Sequence, residues 1–111
     1  HRELLHQRRQ VLHLFEKTDL ILTPTTPVLS PALAELEAAP DQLRSKELLM
    51  LRNTRPFNVY GLPTISLNCG FSKSGLPIGL QIAGALGADG VVLALAHAYQ
   101  KQTDWHKKKP V

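Results

Sequence analysis

The sequence predicts an α/β fold, and three observations carry that prediction. Two runs in the second half, Thr64–Phe71 and Ile78–Ala83, alternate apolar and polar residues with the period of a strand. A third run, Leu20-Ile21-Leu22-Thr23, is apolar on successive residues, as a central strand covered on both sides would be. Helical spacing marks both ends of the chain, and helices layered on a sheet bury such a mixture. With 111 residues, 43% of them hydrophobic, the chain has the size and composition of one globular domain. Aromatic residues make up 5%, so the core has to rest on Leu, Ile, Val and Ala.

The first helix is expected from Arg2 to about Lys17. Leu4, Leu5, Val11, Leu12 and Phe15 recur near helical spacing, and no Gly or Pro interrupts them. His6 and His13 share one side of it but lack the i, i+4 closeness of a zinc pair, so they read as surface residues. Asp19–Thr23 forms a short strand, stopped by Pro24 and Pro27, which oppose both helix and ladder. A loop from Val28 to Pro40 holds a short helix over Ala32–Ala39. The next helix starts near Asp41 as N-cap and runs through Leu48, Leu49 and Met50 to about Thr54. Arg55 precedes Pro56, which biases it away from helical geometry, so Phe57–Gly61 is expected to lead into the first hairpin strand.

The hairpin organises the rest. Ile65, Leu67, Cys69 and Phe71 fall on one face of its first strand; Ile78, Leu80 and Ile82 fall on one face of its second. Ser72-Lys73-Ser74-Gly75 between them is a cluster of turn formers. The opposite face carries Thr64, Ser66, Asn68 and Gly70 against Gly79, Gln81 and Ala83, all small or polar. Such a face is tolerated where a backbone or ligand approaches closely. Two readings are open: a helix packed tightly on it, or the wall of a polar site. The last helix opens at Asp89 and buries Val92, Leu95, Ala96 and Tyr99, with His97 beside that stripe in a structural role. Trp105 is expected to fold back as an anchor. Three strands make a thin sheet, and their apolar faces expect neighbours this chain does not supply.

Bulk properties exclude several classes. One cysteine, Cys69, forbids an internal disulfide and reads as a small buried hydrophobe. Net charge is +4, with much of the excess in Lys107-Lys108-Lys109, a solvated tail. No basic face with interleaved aromatics appears, so no nucleic-acid partner is expected. No apolar run reaches the roughly 18 residues a spanning helix needs, and no signal-peptide pattern opens the chain. The expectation is therefore no membrane partner and a cytoplasmic location. A start at His1-Arg2, already inside a helix, is read as a piece of something longer.

Reaction chemistry is not visible in the residues alone. There is no Gly-x-Ser-x-Gly, no phosphate-binding glycine loop with Lys, no metal-ligand cluster and no Gly-x-Gly-x-x-Gly. Ser72-Lys73-Ser74 sits in a turn open to water, where nothing desolvates the lysine toward a useful pKa. No catalytic residue, metal or cofactor is expected in this chain.

Three stretches together do resemble a known family. Asp19-Leu20-Ile21-Leu22-Thr23-Pro24-Thr25-Thr26-Pro27, then Arg52 to Pro63, then Gly75 to Gly84 with the closing helix and Thr103-Asp104-Trp105-His106, are similar to the C-terminal part of the amidase signature family. The similarity covers almost the whole chain in the family's order and spacing. It implies the C-terminal portion of an α/β/α sandwich with a mixed β-sheet. It also implies a parent enzyme that hydrolyses carboxamide C–N bonds through an acyl-serine, using a Ser-cisSer-Lys triad and an oxyanion loop. Those parts lie upstream of the stretch represented here, so the chain alone is expected to be inactive.

The resemblance further implies that Arg52, Thr54 and Asn58 line the substrate pocket; for Asn58 a backbone-capping role before Gly61 is an equal alternative. The branch that amidates mischarged tRNA typically has an aspartate where this chain has Leu51, which favours a stand-alone amidase. Asn68 replaces a proline common just before the Cys-Gly pair. The implied partners are the N-terminal remainder of the amidase and a small-molecule amide substrate. Two alternatives stand beside this reading: an interaction module dimerising through its exposed sheet edge, and the glutaminase subunit of a tRNA-dependent amidotransferase.

Overall fold

The computed structural model describes residues 2–109. Its centre is β3 (Pro77–Gly84), which pairs antiparallel with β2 (Thr64–Phe71) on one side and β1 (Leu20–Pro24) on the other, giving the order β1-β3-β2. The fold is α/β, as expected. Leu20–Leu22 therefore does not form a central strand within this chain: β1 is an edge, and Leu22 stays 54% exposed. Pro24 does not stop the strand either. It lies opposite Leu80, and the Thr25 amide still donates to the Gly79 carbonyl at 2.8 Å. In antiparallel pairing, bonded and non-bonded pairs alternate, so the missing N–H of Pro24 falls on the outward side of the edge, where no ladder bond is lost.

The β2–β3 turn forms as its residues require. Gly75 adopts φ +83°, its N–H donates to the Ser72 carbonyl at 3.0 Å, and the Ser72 hydroxyl accepts from the Leu76 N–H at 3.1 Å. A bulge between Asn68 and Gly70 shifts the register at Cys69. Asn68 shapes it: Oδ1 accepts from the Gly70 N–H at 3.0 Å, while Nδ2 donates to the Trp105 carbonyl at 3.3 Å. Cys69 is half-buried, its Sγ 3.4 Å from the Ile78 carbonyl.

The helices are α1 (Arg2–Val11), α2 (Leu33–Ala38), α3 (Leu43–Met50), α4 (Arg55–Tyr60) and α5 (Asp89–Gln102). The expected first helix is α1 extended by a 3₁₀ turn, Leu12–Phe15. Asp41 lies inside a 3₁₀ turn, Pro40–Gln42, and does not cap α3. A further 3₁₀ turn, Leu51–Asn53, follows α3. Expecting a non-helical connector at Phe57–Gly61 was wrong. Pro56 falls in the first turn of α4, where a missing N–H costs nothing, and the helix closes where Gly61 takes φ +72° with the Leu62 N–H on the Phe57 carbonyl at 3.0 Å.

α5 covers the apolar sheet face. Leu67, Ile82, Val92 and Ala96 are its buried centre, with Leu20, Ile65, Leu80, Leu95 and Tyr99 packed around them. His97 is exposed, so its expected structural role does not hold. Trp105 does fold back: its ring lies 6.2 Å from that of Phe71.

This core closes only part of the molecule. A compact chain of this length has a radius of gyration of roughly 13 Å. The observed value is 16.4 Å, in a plate of 43 × 39 × 17 Å. Beyond α5 the apolar face remains open as a groove of about 250 Å³ between Leu22, Pro24, Cys69, Ile78 and Leu80. Among the described residues no helix is long and apolar enough to cross a membrane.

Candidate functional site

The polar face of the hairpin is buried at Gln81 and Ala83, where the turn Leu51–Asn53 bonds to it, and open beside Ser66 and Gly79. Register places Thr23 opposite Gln81 and Ser66 opposite Gln81 from the other side, so these three side chains share one face. Gln81 is 4% exposed. A buried carboxamide without partners costs a few kcal/mol, and here the Nε2 group is satisfied twice: it donates to Thr23 Oγ1 and to the Asn53 carbonyl, each at 3.0 Å. Asn53 in turn donates from Nδ2 to the Pro24 carbonyl at 3.0 Å. The turn Leu51–Asn53 is thus stitched to both β1 and β3.

One residue pair along, Thr25 and Ser66 share a hydrogen bond of 2.5 Å across the top of β3. Gly79 makes that approach feasible: a Cβ there would stand 2.5 Å from Thr25 Oγ1 and 2.8 Å from Ser66 Oγ. Beside this pair opens a groove of about 300 Å³, to which Thr25, Thr26, Ser30, Ser66 and Asn68 contribute hydroxyls and a carboxamide. Its polar lining is uncharged. Such a set can orient an uncharged polar group by hydrogen bonding. Thr25 and Ser66 bond to each other, and among the described residues neither hydroxyl has a base as partner.

The residues expected to line a pocket lie in the stitched turn and in the segment that follows it. Arg52 lies in the turn itself and is exposed. Thr54 precedes α4, half-buried, its hydroxyl donating to the Leu51 carbonyl at 3.2 Å. Asn58 is exposed on α4, and its backbone carbonyl accepts from the Gly61 N–H at 3.3 Å. The other end of this segment is held by Arg8, whose Nε donates to the Val59 carbonyl at 3.0 Å.

Sequence reasoning passed over Thr23, Thr25 and Asn53. One signal was available: a glutamine in the middle of a hydrophobic strand needs partners, and Thr23 has the matching parity on the neighbouring strand. Asn53 could not be found this way, because it contributes its main-chain carbonyl to Gln81.

Residues 1–93 match the amidase family. A glutamyl-tRNA(Gln) amidotransferase subunit from Thermodesulfovibrio yellowstonii is 43% identical over 97 residues, covering 87% of this chain and 19% of that relative. Among solved structures, 6-aminohexanoate cyclic dimer hydrolase complexed with substrate superposes with a TM-score of 0.84 at 34% identity, over 98% of this chain and 24% of the hydrolase. The glutamyl-tRNA(Gln) amidotransferase subunit of Thermotoga maritima gives 0.59 at 37% identity, over 82% of this chain and 18% of its own. The chain thus spans about a fifth of the length of the curated relatives it matches.

Proposed function

The chain belongs to the amidase family, and from that premise we propose that it is the C-terminal structural and substrate-pocket portion of an enzyme hydrolysing carboxamide C–N bonds through an acyl-serine. The observation that carries the reading is the polar sheet face. It is ordered by its own hydrogen bonds, opens as a groove beside Thr25 and Ser66, and is bordered by the segment bearing Arg52, Thr54 and Asn58. These three residues line the substrate pocket in this reading, and the small amide is the substrate. The Ser-cisSer-Lys machinery belongs to the N-terminal remainder, which also supplies what the open faces of the plate pack against.

A stand-alone amidase is favoured over an amidotransferase subunit. Leu51 takes the place of the acidic residue typical of the tRNA-dependent branch, and the backbone fits the cyclic dimer hydrolase over more of its length. The unpaired edge of β1 supports a second reading, a dimerising module without catalysis.

The test compares two proteins. The complete polypeptide encoded by the gene should release ammonia from simple carboxamides, and the 111-residue chain alone should release none. Ammonia release that tracks the purified short chain and vanishes on substituting one of its residues would defeat the proposal. So would a complete gene that encodes no glycine- and serine-rich loop with a lysine before it. Stable dimers of the short chain would favour the module.

A further inference from the structure

Polar links tie the segment from Leu51 to Tyr60 to α1 and to the sheet. At the α4 C-terminus the link is Arg8 to the Val59 carbonyl, and at the start of the segment it is Gln81 to the Asn53 carbonyl. A main-chain carbonyl only accepts, so the nitrogen of the Gln81 carboxamide must face it. That NH₂ group has two hydrogens, and both are used, one on Thr23 Oγ1 and one on Asn53. Burial at 4% exposure keeps water from replacing either.

We propose that Gln81 is a positioning residue: its two N–H groups brace the turn Leu51–Asn53 against β1 and β3, and so set where Arg52, Thr54 and Asn58 stand. This rests on the amidase reading for its functional consequence, though not for the brace itself. Gln81 touches no substrate in this account. It acts through the Asn53 carbonyl.

Two variants separate the parts. Gln81→Met keeps length and volume but has no donor. Gln81→Glu is isosteric; as a carboxylate it cannot donate, and once protonated it regains one donor. In the complete polypeptide, amide hydrogen exchange is read at Thr54 and Asn58, which bond to the Leu51 and Thr54 carbonyls, with Val92 in α5 as the reporter of the core. In Gln81→Met, protection at Thr54 and Asn58 should fall about tenfold while Val92 keeps its own, since local opening is decoupled from global unfolding. In Gln81→Glu the same loss should appear at neutral pH and recover in part at mildly acid pH, where burial favours the protonated carboxyl. Unchanged protection at Thr54 and Asn58, or an equal loss at Val92, overturns the brace.

The second readout uses the complete enzyme. Displacing a pocket wall should raise KM for the amide about tenfold with kcat little changed, whereas a smaller folded fraction lowers apparent kcat at constant KM. A fall in kcat alone overturns the positioning role even if the exchange result holds. An inactive wild-type enzyme sinks the amidase reading and the positioning role with it, and the exchange arm still decides the brace.

Discussion

On one face of β3, Leu80 and Ile82 meet Val92 and Ala96 of α5 through apolar surface alone. On the other face of the same strand, Gly79 and Gln81 meet Thr23, Thr25, Ser66 and Asn53 through directed hydrogen bonds and a gap with no side chain in it. The two contacts differ in kind. Burying an aliphatic side chain is worth about 1.5–3 kcal/mol and tolerates small shifts, while a hydrogen bond contributes about 0.5–1.5 kcal/mol net and fails over a fraction of an ångström. The α5 face supplies stability; the opposite face holds a shape.

If that division is right, the largest loss comes from the apolar side. Ile82, 1% exposed, is the side chain most completely enclosed. Ile82→Ala should cost about 2–5 kcal/mol in denaturant unfolding, the range for a buried aliphatic truncation that leaves a cavity. A cost below 1 kcal/mol, about the level of a surface change, would mean α5 is not the stabilising layer.

A pair of glycines sharpens the comparison. A Cβ on Gly84 would meet the Val92 Cγ2 methyl at 2.8 Å, and one on Gly79 would meet Thr25 Cβ at 2.9 Å besides the two hydroxyls. Each Gly→Ala change should cost about 1–3 kcal/mol as overpacking. Their rescue should differ. Val92→Ala removes the methyl that Gly84→Ala strikes and should restore part of the loss. Thr25→Ala removes Oγ1 but leaves Thr25 Cβ at 2.9 Å and Ser66 Oγ at 2.8 Å, and should restore less of the Gly79→Ala loss. Equal rescue on both faces would erase the distinction.

How far these faces were legible in the sequence depends on the range of the interaction. β2 was bounded correctly, and the α5 stripe Val92, Leu95, Ala96 and Tyr99 was read from its spacing, because alternation and helical period are local. The small, polar face was recognised, but not what touches it: Thr25 and Asn53 lie 41 and 28 residues from Ser66 and Gln81. α4 was missed because the restriction Pro56 places on Arg55 was given more weight than proline's fitness for a first helical turn. Pro24 misled in the same way, since a rule against proline in a ladder does not apply to the outward side of an edge. The Cys69 bulge has no local signature beyond Asn68, whose side chain replaces a backbone partner.

The smallest expected effect lies outside both faces, in the turn that seats Trp105. The Lys107 ammonium, 2.7 Å from Asp104, holds that carboxyl below the usual carboxylate range. A depressed folded-state pKa gives a contribution that is present above the ordinary carboxylate pKa and is lost as pH falls through the lowered one. Trp105 fluorescence should therefore change below about pH 4, and Asp104→Asn should remove that step. Because the pair is fully open to solvent, the change should stay confined to the turn, and Ile82 and Val92 should not report it.

The claim on which the account depends is that β1 is an edge only within this chain, its outer side shaped for neighbouring protein. The alternation of ladder bonds turns the Thr23 amide toward Gln81 and the Leu22 amide outward, so two adjacent N–H groups report opposite sides of one strand. Hydrogen exchange at these amides should be compared in the short chain and in the complete polypeptide. Thr23 should be slow in both, and Leu22 should be fast in the short chain and slow in the complete one. A Leu22 amide that still exchanges freely in the complete protein would show that nothing pairs with or covers this edge, and that the plate is finished as it stands.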